Sequence, residues 1–208
     1  MKLQLSLDQV ELEEALDYIE EIKDLTDIVE IGTPLALKYG RIAIQEIKKK
    51  YPKKTLLADY KIMDGGNYEA SIAFDAGADI VTVLGLADIA TINGTVTAAR
   101  TFQKKTMVDL IGVGEIAERI QVIETLGVDY VCVHTAMDVQ NGSNSPIDAL
   151  KLAKSIVKNM KIAVAGGIRL ENIDEVVRYE PEIVIIGTGI LSKPDRYQAA
   201  LEIVQRFK

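Results

Sequence analysis

"LLADYKIMDGG", residues 56–66, is the stretch from which the fold can be read. An apolar run opens it, Asp59, Lys61 and Asp64 follow in quick succession, and Gly65-Gly66 precede a helical pattern. A strand that is apolar at its start, charged at its end and followed at once by a helix is the repeating unit of a parallel α/β sheet. The charges need their own account, because a buried charge is either paired or engaged in chemistry.

Outward from this stretch the same unit recurs along the whole chain. The β-rich runs are "KLQLSL", "DIVEI", "TLLADY", "DIVTVL", "TMVDLI", "DYVCVH", "KIAVAG" and "IVIIG". Amphipathic stretches predict helices over 9–23, 34–50, 66–76, 88–103, 114–125, 146–158, 171–178 and 194–207. Gly77-Ala78-Asp79 and Gly127-Val128-Asp129 support the boundaries, with Gly ending a helix and a carboxylate leading into the next strand. Eight βα units in 208 residues are near the lower limit for a closed (β/α)8 barrel, and an open doubly wound sheet shares the same alternation. With no Pro/Gly/Ser-rich linker and no shift in composition, residues 1–208 read as a single domain.

Composition narrows the function classes. With 48% hydrophobic residues the chain can bury a full core. A net charge of −7 argues against a nucleic-acid groove, which needs clustered Lys and Arg. Nothing near the N-terminus reads as a secretory signal, and no apolar segment is long enough to span a bilayer, so no membrane partner is expected. Cys132 has no second cysteine to pair with and suits a reducing cytoplasm.

In either architecture the active face lies at the C-terminal ends of the strands, where Asp8, Glu30, Asp59 with Lys61, Asp109 and His134 would converge. Asp59 and Lys61, two apart, point to one face of a strand, with Asp64 just beyond. A carboxylate, ammonium and carboxylate around one spot keep Lys61 charged, a donor to an oxyanion. An isolated D-x-K is more often a structural salt bridge; the strand end and the Gly pair favour function here. Glu30 and Asp59 on adjacent strands offer hard oxygen ligands that suit Mg2+, and there is no Cys/His cluster for zinc. His134, the single histidine, is either a satisfied core residue or a general acid or base at the end of strand six; its place favours catalysis. "AVAGGIRLEN" (163–172) and "IIGTGILSKP" (185–194) follow the last two strands, where barrels bind phosphate through backbone N–H groups.

These residues carry a resemblance that covers essentially the whole chain. "LDQ" (7–9), "VEIGTP" (29–34), "LADYKIMDGG" (57–66), "GVDYVCVHTAMD" (127–138), "AVAGGI" (163–168) and "IGTGI" (186–190) resemble the 3-hexulose-6-phosphate synthase family of the orotidine 5'-monophosphate decarboxylase superfamily. The resemblance implies a (β/α)8 TIM barrel of the ribulose-phosphate-binding type. It implies aldol condensation of formaldehyde with D-ribulose 5-phosphate through an enediolate, dependent on Mg2+ (or Mn2+) and on no organic cofactor. Residue by residue, Asp8 and Thr33 would contact substrate, Glu30 and Asp59 would hold the metal, and Lys61 and His134 would handle the proton and the enediolate. Asp64 would reach the neighbouring subunit's site in a homodimer with shared active sites, and Gly166, Gly167, Gly187 and Thr188 would cradle the phosphate. Superfamily relatives often carry Arg where this chain has Thr188, which leaves part of the phosphate grip to backbone or Arg169. The sister 3-keto-L-gulonate 6-phosphate decarboxylases carry Arg three residues after the histidine, where this chain has Met137; that favours the synthase. The decarboxylase and a non-catalytic sugar-phosphate-binding protein are the rival readings. A Schiff base on Lys61 is the rival chemistry, disfavoured because flanking carboxylates keep the amine protonated.

Overall fold

The computed structural model describes residues 1–140 and 145–207. Eight parallel strands close into a barrel in sequence order, which settles the choice between closed barrel and open sheet. The strands are β1 (Lys2–Leu7), β2 (Ile28–Ile31), β3 (Thr55–Ile62), β4 (Ile80–Leu84), β5 (Lys105–Asp109), β6 (Tyr130–His134), β7 (Lys161–Ala165) and β8 (Ile183–Ile186). Around them lie α1 (Leu12–Ile22), α2 (Thr33–Tyr39), α3 (Arg41–Lys50), α4 (Gly66–Ala76), α5 (Ile89–Phe102), α6 (Ile116–Glu124), α7 (Ile147–Ile156), α8 (Ile173–Val177), α9 (Thr188–Leu191) and α10 (Arg196–Gln205).

Two differences from the expected elements have local causes. The single helix expected over 34–50 is two, because Gly40 adopts φ 55 and turns the chain between α2 and α3. The short α9, too brief to leave a periodic pattern, starts at Thr188 directly after β8.

Alternate residues of each strand separate two cores. Leu3, Leu5, Val29, Ile31, Val81, Val108, Val131 and Val164 pack outward with the helices, whereas Ile28, Leu57, Met107, Tyr130, Cys132 and Ile185 fill the barrel. The register stacks the interior in layers of four contributed by alternate strands. Ile28, Ile80, Tyr130 and Ile183 form a lower layer, with Gln4, Leu57, Met107 and Ala163 above it. Next come Glu30, Thr82, Cys132 and Ile185, then Ser6, Asp59, Asp109 and Ala165, and at the mouth Gly32, Leu84, His134 and Gly187. The interior therefore becomes more polar toward the C-terminal end, where the acidic side chains, Lys61 and His134 collect.

At the opposite end, an acidic residue before each even-numbered strand ties that strand to the one preceding it. Asp27, Asp79 and Asp129 accept the backbone N–H of Leu3, Leu56 and Thr106 at 2.9, 3.0 and 3.0 Å. Glu182 takes the fourth place through its own N–H, which donates to the carbonyl of Ile162 at 2.8 Å.

Candidate active site

The sequence placed Asp59 and Lys61 on one face of a regular strand, but β3 does not run straight through them. Its register to β4 shifts between Ala58 and Ile62, and Lys61 takes φ 46, the left-handed region that non-glycine residues rarely enter. The Lys61 N–H is held by the Thr82 hydroxyl at 2.9 Å, which satisfies the group that the bulge frees. A strained backbone at a polar mouth is where function is sought first.

The bulge sets Lys61 between two carboxylates, one of which is not the expected one. Its ammonium donates to Asp59 and lies 3.5 Å from Asp109 of β5. Asp64 is exposed, and its Oδ1 accepts the Gly65 N–H at 2.7 Å. The row of carboxylate, ammonium and carboxylate exists, but Asp109 completes it within the chain and Asp64 points elsewhere. Burial works to lower the Lys61 pKa, yet Asp59 and Asp109 together hold it above the usual lysine range.

Asp109 also binds His134: its Oδ2 lies 2.9 Å from Nδ1. Burial opposes its charge, but the His134 hydrogen bond and the charges on His134 and Lys61 hold Asp109 below the usual carboxylate range. An ionised Asp109 makes Nδ1 the protonated nitrogen, so a neutral His134 carries its free lone pair on Nε2. Asp109 stood among the strand-end polar residues of the sequence without a role; here it joins the lysine to the histidine.

The other wall of the mouth is acidic. Asp8 accepts from the Ser6 hydroxyl at 2.8 Å. A Cβ on Gly32 would stand 2.3 Å from Asp8 Oδ1, so only glycine leaves room for that carboxylate. Asp59 is fully engaged: Thr33 Oγ1 and Thr82 Oγ1 each lie 2.8 Å from one of its oxygens, and Lys61 shares the Thr33 side. Thr33 is thereby tied to Asp59, and Thr82, which the sequence left unnoticed inside "DIVTVL", is its second support. Burial, and then the charges of Asp59 and Asp8, push Glu30 up to about 8. Asp8 is raised as well, by burial first and then by Asp59.

Mutual repulsion among Asp8, Glu30 and Asp59 is the state a divalent cation would relieve, and all their donors are hard oxygens. Among the described residues no three acidic, His or Cys side chains converge closely enough to enclose an ion. A cation here would be held by two carboxylates and completed by water and substrate oxygens, and it would compete with Thr33, Thr82 and Lys61 for the oxygens of Asp59.

Beyond β7 and β8, a cavity of about 460 Å3 is lined by Gly167, Arg169, Thr188, Ser192, Lys193 and others. Gly166 and Gly167 have φ 100 and 70, and a Cβ on Gly166 would meet the Thr135 carbonyl at 2.2 Å. Asn172 fixes the loop by donating to the Gly167 carbonyl at 2.9 Å and accepting the Arg169 N–H at 2.9 Å. Gly187 instead stands by Asp8, its would-be Cβ 3.5 Å from Oδ2. Arg169 and Lys193 both reach Glu171, at 3.7 and 3.4 Å, so the cavity has two cations and one competing acid. Lys193 was not singled out in the sequence, where "LSKP" gave no reason to prefer it.

Comparison with known proteins gives the family and the fold. The pattern of the orotidine 5'-phosphate decarboxylase / HUMPS family matches residues 1–203. A 3-hexulose-6-phosphate synthase from Bacillus subtilis is 46% identical over 205 residues, covering 99% of this chain and 98% of that protein. The crystal structure of 3-hexulose-6-phosphate synthase from Salmonella typhimurium superposes with a TM-score of 0.97 at 42% identity, over 100% of this chain and 98% of that one. A 3-keto-L-gulonate-6-phosphate decarboxylase from Vibrio cholerae shares the fold, with a TM-score of 0.87 at 24% identity over 99% of this chain and 96% of that one.

Proposed function

Since the chain belongs to the orotidine 5'-phosphate decarboxylase / HUMPS family, we propose that it is a 3-hexulose-6-phosphate synthase, joining formaldehyde to D-ribulose 5-phosphate to give D-arabino-hex-3-ulose 6-phosphate. The observation that carries the chemistry is the single carboxylate of Asp109, shared by Lys61 and His134.

His134 Nε2 takes the C1 proton of the pentulose phosphate, while Asp109 steadies the imidazolium that forms. The C1–H electron pair forms the C1–C2 double bond and negative charge develops on O2, where the Lys61 ammonium supplies a fixed positive charge. C1 then attacks the formaldehyde carbon, the C=O π pair moves to oxygen, and that oxygen receives the proton from His134. A covalent imine on Lys61 is disfavoured, because its two carboxylate neighbours keep the amine protonated. Asp8 would orient a substrate hydroxyl, and Gly167 and Thr188, with Arg169 and Lys193, would hold the phosphate at the cavity that they line, with Gly166 shaping the loop and Gly187 standing between that cavity and Asp8. Mg2+ held by Glu30 and Asp59 would add Lewis-acid stabilisation of the developing charge.

We further propose a homodimer in which Asp64 serves the partner's site. Asp64 is exposed and forms no ion pair with Lys61 among the described residues, and exposed Met63, Tyr68, Leu86 and Ile89 lie on the segments around it. Among the described residues no helix is long and apolar enough to cross a membrane.

The test is loss of formaldehyde on mixing with ribulose 5-phosphate, with added Mg2+ and after EDTA. Metal-dependent loss supports the proposal. Unchanged formaldehyde together with carbon dioxide release from 3-keto-L-gulonate 6-phosphate would replace it with the decarboxylase.

A further inference from the structure

Gln4 is wholly buried on β1, in a barrel layer whose other members, Leu57, Met107 and Ala163, are apolar. Its Nε2 donates to Glu30 Oε2 at 2.6 Å, bridging to the layer above. Its Oε1 is sealed from solvent and has no hydrogen-bond partner among the described residues. A stranded amide oxygen lowers stability, and a leucine or methionine would complete the layer without it. The amide is thus a poor choice for packing, and its one bond is to Glu30.

Glu30 depends on that bond equally. Among the described residues its carboxylate accepts no other hydrogen bond. Glu30 is only 6% exposed; its Oε2 is held from below by Gln4, and its Oε1 takes part in no hydrogen bond among the described residues.

We infer that Gln4 is a positioning residue for Glu30: by engaging Oε2 it fixes the carboxylate so that Oε1 is the oxygen offered to a cation at the mouth. The inference rests on the reading of Glu30 as a metal ligand. The physical reason is general, since a ligand carboxylate whose second oxygen is hydrogen-bonded keeps one orientation and need not be ordered when the ion arrives.

Mn2+ is the probe, its binding followed by electron paramagnetic resonance in the wild type, Gln4→Met, Glu30→Gln and the double variant. Gln4→Met is expected to weaken Mn2+ binding by roughly 10- to 100-fold. Its thermal midpoint without metal should fall too, because the buried Glu30 carboxylate loses its one hydrogen bond, so binding is compared at a temperature where both proteins are folded. In the Glu30→Gln background, Gln4→Met should cause no further loss, because Gln4 acts through Glu30. A Gln4 that acts independently of Glu30 would reduce binding by the same factor in both backgrounds, which overturns the inference. Equal Mn2+ affinity in wild type and Gln4→Met overturns it too, and leaves the metal reading standing. A wild type that binds no Mn2+ overturns the metal reading and the inference with it. Should Gln4→Met fail to fold, the Gln4 side-chain amide resonances of the wild type decide: they are expected to shift on adding Mg2+, and unmoved resonances overturn the inference.

Discussion

Asp109 holds an ammonium and an imidazole at once, so an amide in its place changes both. Asp109→Asn is expected to slow exchange of the C1 proton of ribulose 5-phosphate, followed by deuterium incorporation, by roughly 10²- to 10⁴-fold. His134→Gln should lose at least as much, because it removes the base itself. Both variants should still bind the sugar phosphate if, as proposed, its anion sits in the cavity beyond β7 and β8, which neither residue lines. The mouth residues were legible in part. Glu30, Lys61 and His134 announce themselves as polar groups in apolar strands. Gln4, Thr82 and Asp109 carry the same signal, a polar residue with the parity of the barrel interior, and needed only a consistent assignment of which alternate positions face inward. The exchange of Asp64 for Asp109 beside Lys61 was not legible, since it depends on a bulge and on the approach of a strand more than forty positions away.

At the scale of elements, α4 and α5 approach through glycine. A Cβ on Gly66 would lie 2.0 Å from the Thr91 carbonyl and one on Gly94 3.0 Å from the Asn67 nitrogen. Gly66→Ala forces the pair apart and is expected to lower stability by about 1–3 kcal/mol in denaturant melts. It should also disturb the β3–α4 loop that carries Asp64. Asp79 offers a test with a definite sign in pH. Burial opposes its charge, but Lys104, Lys48 and the Leu56 N–H together hold its pKa below the ordinary carboxylate value. A depressed folded pKa means stability that is present above the unfolded value, near 3.8, and is lost as pH falls through the folded one. Asp79→Asn should therefore lower the thermal midpoint at pH 7, and its deficit relative to wild type should shrink below about pH 4. Strand positions followed directly from the apolar runs, and the bend at Gly40 has a visible cause in the glycine. The four-residue α9 does not, because one turn is too short to show a period.

The whole molecule is where alternation alone fell short, since open and closed α/β sheets share it; the pairing of β1 with β8 is a long-range event with no local mark. At this scale the proposed shared site can be tested by complementation. Lys61→Ala and Asp64→Ala should each be nearly inactive alone. Mixed after dissociation and reassociation, they should regain activity through hybrid dimers that hold one intact site, read as restored formaldehyde consumption. If Asp64 acts only within its own chain, mixing restores nothing.

The acidic residues before the even strands also determine how the chain can be divided. Each of the Asp27, Asp79, Asp129 and Glu182 ties joins a strand to its immediate predecessor, while the carbonyls of Asp79, Asp129 and Glu182 also accept the N–H of Lys105, Lys161 and Lys2 on the strand that follows. A break in the connection between α5 and β5 keeps every tie to a predecessor within one piece and leaves the bonds of Lys104 and Lys105 to Asp79 to be re-formed between the pieces. Two half-barrels produced as separate polypeptides should accordingly find each other and restore the closed ring, whereas a break between β3 and β4 would part Asp79 from Leu56 and should not be tolerated.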